Sequence, residues 1–303
     1  MGIKVTKLED FVKPPLAVVC HDAGAANLIV EWLKDYTGDL KPCMMGPAKI
    51  VWEKHFPGTK LTSIDTVLNG SKSLLSGTGW GDAEHSARIK AKKRRIKNIA
   101  VIDHWTNYRE RFTRNDNEEL PDIIVVSDNY AYQKTQNFFP SILVIELPNN
   151  YLQAQAKLAC SERLTECKDP IENILIIGEP LRLIKSGKDT YLEFEAIEFL
   201  MTNLNKINIS NRSVNIVLRL HPSESLVKYD KVLKKHKDSV SKFDLSKNTH
   251  LYQDIAWADL VVGMNSFALV VALTANVPTM SILPPLSIDC ILPYKEIMHL
   301  KDK

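Results

Sequence analysis

The sequence predicts an α/β protein made of two Rossmann-like, doubly wound domains. Three observations carry this. Short runs that are apolar at nearly every position recur along the chain. Amphipathic stretches lie between them. The pattern stops over residues 151–172 and then begins again. Strands without polar–apolar alternation are those buried on both faces, as in a parallel sheet covered by helices. With 303 residues, the chain is long enough for two cores.

The first strand is LAVVC (16–20), followed by AANLIVEWLKDY at helical spacing. SKSLLSG (71–77) is the next strand-like run, and DAEHSARIKAKKRRIK reads as a polar helix behind it. NIAVID (98–103), DIIVVS (122–127) and ILVIEL (142–147) are three more short strands. The stretch 151–172 has no strand signal and ends in KDP, a break, so it reads as a connector between a first domain (1–150) and a second (173–303). In the second domain NILIIG (173–178), VNIVLRL (214–220), DLVVGM (259–264) and TMSIL (279–283) are strands. Helices are expected over 190–207, over SLVKYDKVLKKHK and over SFALVVALTA. The architecture occurs twice without a sequence repeat, so two domains facing a central cleft are expected.

Composition narrows the function. Net charge is +3, the difference between 39 basic and 36 acidic side chains, which implies no nucleic-acid partner. No apolar run approaches the length of a membrane span. The basic run RIKAKKRRIK (88–97) reads first as a solvated helix face and second as an anionic contact, which keeps peripheral membrane association in view. The five cysteines are scattered, with no CxxC and no Cys/His ligand spacing. A reducing, cytoplasmic setting is expected, with neither a disulfide frame nor a metal.

In doubly wound sheets, ligands bind beyond the carboxyl ends of the strands. After the first strand come His21, Asp22 and Gly24, where His or Asp suits a general base and the small residue lets the turn approach a ligand. After the second comes GTGWGD, with Thr78 and Gly79, a tight turn into a helix start able to receive an anion. After the third comes DHWTNYRERF: Asp103 is a further base candidate, Trp105 offers a stacking face, and Asn107, Arg109 and Arg111 suit a sugar or an acidic substrate. In the second domain, Glu179 follows the first strand and suits a ribose or base. RLHPSES closes the next strand with Arg219, His221 and Pro222. Pro222 stops the strand, and His221 at its tip can donate to a phosphate oxygen. Asn265 and Ser266 then precede an apolar helix whose start makes a phosphate seat.

A strand ending in HP, then about forty residues later a strand, a Ser-containing helix start and NVPTMSILP, resembles the C-terminal nucleotide-binding domain of GT-B glycosyltransferases. It is also similar to that of the related non-hydrolysing UDP-N-acetylglucosamine 2-epimerases. The resemblance implies that His221, Pro222 and Ser266 hold a donor phosphate, as in sialyl- and Kdo-type transferases, and that Glu179 contacts the nucleotide. It implies metal-independent transfer of a sugar from a CMP- or UDP-sugar to a glycan or lipid-linked acceptor in surface glycan synthesis, with no cofactor beyond the donor. Epimerisation or hydrolysis of a UDP-sugar, and nucleotide-sugar binding without turnover, are the alternatives.

Overall fold

The computed structural model describes residues 7–185, 188–210, 214–221 and 224–303. The chain divides into two compact units, Met1–Tyr151 and Leu152–Lys303.

The first unit runs β1 (Leu16–Cys20), α1 (Ala23–Leu33), β2 (Leu40–Met44), α2 (Gly46–His55), α3 (Ile64–Leu68), β3 (Ser73–Ser76), α4 (Asp82–Lys93), β4 (Lys97–Val101), a two-strand ribbon of β5 (Thr113–Arg114) and β6 (Asn117–Glu118), β7 (Ile123–Val126), α5 (Asn129–Phe138) and β8 (Leu143–Glu146). Six strands form one parallel sheet in the order β2-β1-β3-β4-β7-β8. All five residues of β1 are fully buried, which is why the strand reads as apolar without alternation. Each such aliphatic side chain contributes about 1.5–3 kcal/mol on burial.

The division between the units falls inside α6 (Asn150–Glu162). The second unit continues with β9 (Asn173–Ile177), the hairpin β10 (Arg182–Lys185) and β11 (Lys188–Tyr191), α7 (Leu192–Thr202), β12 (Asn215–Arg219), α8 (Asp230–His236), β13 (Lys242–Leu245), α9 (Leu251–Trp257), β14 (Leu260–Gly263), α10 (Phe267–Thr274), β15 (Thr279–Ser281) and β16 (Met298–His299). Its sheet is parallel in the order β13-β12-β9-β14-β15-β16, the strand order of a dinucleotide-binding fold. Leu192, Ala196, Ile197 and Leu200 of α7 pack on Ile174, Ile176, Ile216 and Leu218 to close its core.

Several elements depart from the sequence expectation. β2 and β13 are edge strands whose polar residues hide them: Lys41 and Pro42 interrupt one, and Lys242 and Asp244 the other. A sheet edge is where proline is tolerated, because a missing N–H costs little there. Helix α4 stops at Lys93 because Arg95 turns through a positive φ of 56°, and the remaining basic residues lead into β4. Nor is the basic run a purely solvated face. Arg88 is fully buried, Lys90 and Arg94 pair with Asp65, and Lys92 pairs with Glu119. No helix among the described residues is long and apolar enough to cross a membrane.

Candidate functional site

Each sheet has a point where the strand order reverses, and that is where a doubly wound fold opens a crevice at its carboxyl edge. In the first unit this point lies between β1 and β3, and in the second between β9 and β14.

At the first switch point, the residue after β1 is His21. Its backbone N–H donates to Glu84 Oε1 at 2.9 Å, and the Gly79 N–H donates to Glu84 Oε2 at 2.6 Å. Glu84 thus ties the β1 and β3 loops together from the first turn of α4. Burial pushes its carboxyl above the usual glutamate range, and the two N–H groups work against that rise. His21 Nδ1 lies 2.7 Å from Asp22 Oδ1. A carboxylate offers only acceptors, so in the neutral ring Nδ1 carries the proton and Nε2 holds the lone pair. The side chains of His21 and Asp22 are both more than a third exposed.

The β4 loop closes on this pair. Asp103 Oδ1 accepts from Arg111 Nη1 at 2.8 Å, and the same nitrogen donates to the Thr78 hydroxyl at 3.0 Å. Small residues make the approach possible. A Cβ on Gly24 would stand 2.0 Å from Asp103 Oδ2, and one on Gly79 would stand 2.3 Å from Asp22 Oδ2. The space these glycines leave is therefore filled by the chain's own carboxylates. His21, Asp22, Gly24, Thr78, Gly79, Asp103 and Arg111 gather here in one cluster.

Three readings of these loops need correction. Trp105 is not an open stacking face: it is 4% exposed, and its Nε1 donates to Asp128 Oδ2 at 2.8 Å. Its apolar body is buried, and its one donor needs an internal partner. Arg111 is spent on Asp103, Thr78 and the Thr106 carbonyl, so it is no free fork for an acidic substrate. Thr78 is buried and donates to the Val101 carbonyl. Asn107, at φ 58°, and Arg109, 3.6 Å from Glu118, are exposed and lie farther along the same loop.

At the second switch point, Glu179 follows β9 and its Oε2 accepts the Asn265 N–H at 2.8 Å, bridging to the end of β14. Burial raises the Glu179 pKa, the Asn265 N–H opposes the rise, and Glu193 and Glu224 add to it. Asn265 is buried, and its Oδ1 accepts from Ile291 N, so its side chain shapes the wall rather than meeting a ligand. Ser266 caps α10 by accepting from Ala268 N. Arg219 departs from the nucleotide-binding reading. It donates to the buried Asp254 at 2.6 Å and to the carbonyls of Asn248 and Thr249, riveting the β13–α9 loop. His221 is exposed at the tip of β12, and its N–H donates to Glu224 Oε2 at 2.9 Å. Pro222 lies outside the described residues.

Sequence reasoning missed Glu84, Arg114 and Glu224. Glu84 sits inside a polar helix, where an acidic residue in the first turn reads as dipole compensation. Arg114 lies on the β5–β6 ribbon, turned by Asn115 and Asp116 at φ 47° and 60°, and reaches the Gly79 carbonyl at 2.6 Å. Glu224 gathers the His221 N–H, the Tyr229 hydroxyl and Lys228, which also pairs with Glu193 at 2.6 Å. Among the described residues, no group of three His, Cys, Asp or Glu side chains is set to hold a metal ion.

No protein-family model matches the sequence, and no curated protein is similar to it in sequence. Solved structures are similar in fold. One is UDP-GlcNAc 2-epimerase from Neisseria meningitidis bound to UDP-GlcNAc, with TM-score 0.54 and 12% identity over 84% of this chain and 78% of that one. Another is a putative UDP-N-acetylglucosamine 2-epimerase from Listeria monocytogenes, with TM-score 0.55 and 13% identity over 88% and 78%. A third is MurG from Acinetobacter baumannii, with TM-score 0.53 and 12% identity over 91% and 80%. The fold of this chain is that of GT-B proteins: two Rossmann-like units, each with a six-stranded parallel sheet.

Proposed function

We propose that the chain is a GT-B glycosyltransferase of glycan biosynthesis that transfers a sugar from a nucleotide-activated donor to a hydroxyl acceptor. The observation that carries this is the His21 arrangement. A ring held by Asp22, on a backbone fixed by Glu84, follows β1, one of the two strands of the first sheet's switch point, with Nε2 lying against Gly46 of the β2–α2 turn. The second unit takes the nucleotide, with Glu179 at its switch point and the donor phosphate against His221 and the start of α10. The same fold is seen in a protein solved with UDP-GlcNAc, which supports a nucleotide-sugar as ligand.

In the step itself, the acceptor oxygen attacks the anomeric carbon as the bond from that carbon to the phosphate oxygen breaks. His21 Nε2 takes the acceptor proton, and Asp22 stabilises the imidazolium that forms. The leaving phosphate keeps the electron pair and departs with the nucleotide. A second reading, epimerisation or hydrolysis of a UDP-sugar, draws on Glu179, a buried carboxyl whose raised pKa suits an acid.

The test is a thermal-shift panel of UDP, CMP, GDP and their sugars, followed by product analysis. A nucleotide at 100 times its dissociation constant adds about 2.7 kcal/mol of stability. If none of them shifts the transition at millimolar concentration, the proposal fails. Conversion of UDP-GlcNAc without an acceptor selects the second reading.

A further inference from the structure

We propose that Trp80 is a sugar-stacking platform at the carboxyl edge of the first sheet, and that the ring it takes is a neutral pyranose. This rests on the reading above that the first unit receives the acceptor.

Trp80 is 64% exposed, whereas Trp32, Trp52 and Trp105 are buried. An indole left in water forgoes the large burial gain that aromatic side chains otherwise contribute. The backbone around it is nevertheless clamped. The Gly79 N–H is held by Glu84 and the Gly79 carbonyl by Arg114 Nη2, which also reaches the Gly81 carbonyl at 3.5 Å. Helix α4 begins one residue later, at Asp82. The exposed ring is therefore carried on a fixed turn, and a fixed turn loses little freedom when a ligand arrives.

The place is that of the reacting groups. Gly79, the residue before Trp80, stands so close to Asp22 that a Cβ there would meet Oδ2 at 2.3 Å. Two carboxylates at this edge remain open to solvent: Asp22, 38% exposed, and Asp82, 94% exposed. An apolar plate beside acceptors is the set that reads a pyranose, whose C–H face stacks and whose hydroxyls donate.

Charge decides the class of sugar. Arg111 is committed to Asp103 and Thr78, and Arg114 to the carbonyls of Gly79, Glu110 and Thr113. Arg109 faces Glu118. A sugar carboxylate would meet Asp22 and Asp82, and Arg114, whose Nε lies 3.7 Å from Asp82, is already shared with that carboxylate and the loop carbonyls, so no described guanidinium at this edge is left to receive it.

The experiment titrates the full chain with glucose, galactose, N-acetylglucosamine and glucuronic acid, following ligand signals by saturation-transfer NMR. The UDP and CMP thermal shifts are read on the same samples. The expected result is saturation by a neutral sugar, at least tenfold weaker in Trp80→Ala and partly restored in Trp80→Phe, with nucleotide shifts unchanged in both variants. Equal affinity in Trp80→Ala, no saturation by any neutral sugar, or preference for glucuronic acid overturns the platform. Loss of every nucleotide shift while Trp80-dependent saturation persists overturns the transferase reading and leaves the platform standing.

Discussion

Replacing Glu84 by alanine leaves two backbone donors, the buried N–H of Gly79 and the part-buried N–H of His21, without acceptors. Each buried donor left unpaired costs about 1–3 kcal/mol, so the gross loss is about 2–6 kcal/mol. Removing a carboxyl that burial already disfavours returns part of this, and a net destabilisation of about 2–4 kcal/mol is expected. For a unit of this size the corresponding fall in Tm is about 4–16 °C. Urea unfolding followed by circular dichroism measures it. Because the chain has two units, the loss is read on whichever transition moves. Glu84→Gln keeps one acceptor oxygen but turns an NH2 toward the other donor, so an intermediate loss of about 1–3 kcal/mol is expected. The pH dependence separates charge from bonding. The folded state binds the Glu84 proton more tightly than the unfolded state, so this group's contribution falls as pH rises from about 4.3 through the raised folded value. Glu84→Gln flattens that slope. A Glu84→Ala loss under about 0.5 kcal/mol, below the cost of one unpaired donor, would refute the claim that this carboxyl clamps the two loops.

The other expectations are more direct. His21→Ala keeps the backbone N–H that Glu84 holds, so it should lower kcat about 10²–10⁴-fold with donor affinity intact; initial rates with the donor found by thermal shift decide, and unchanged kcat removes His21 as base. Gly24→Ala places a methyl 2.0 Å from Asp103 Oδ2 and must displace that carboxylate from Arg111. About 1–3 kcal/mol should be lost in denaturant unfolding, and an unmoved midpoint counts against the packing described. Arg219→Met removes the countercharge of the buried Asp254, leaving it the Ser246 hydroxyl and the Asn248 amide, and should cost about 3–5 kcal/mol while leaving nucleotide affinity unchanged in the folded protein. Weaker nucleotide binding with intact stability would return Arg219 to the donor site.

The strands that cross the middle of each sheet were legible because burial on both faces demands apolar residues throughout. LAVVC, IIVV and LVVG announce themselves in this way. Edge strands β2 and β13 were not, since one side of each lacks a partner and polar residues are tolerated. At the site, residues that follow central strands could be found from order alone: His21, Asp22, Asp103, Glu179 and Ser266 all lie there. Whether a side chain in such a place faces inward or outward could not. Trp105 and Trp80 each follow a strand of the same sheet, yet one donates to Asp128 beneath the surface and the other lies in water.

The sequence by itself determined two parallel α/β units and the loops that end their strands, because periodicity and punctuation act over a few residues. The tertiary structure decided which polar groups are spent on one another. Glu84 reaches across 63 residues to His21, Arg219 across 35 to Asp254, and Glu179 across 86 to Asn265. Such pairs form because a buried charge or amide must find a partner wherever the sheet brings one near, and nearness in the sheet is not written in neighbouring positions of the chain.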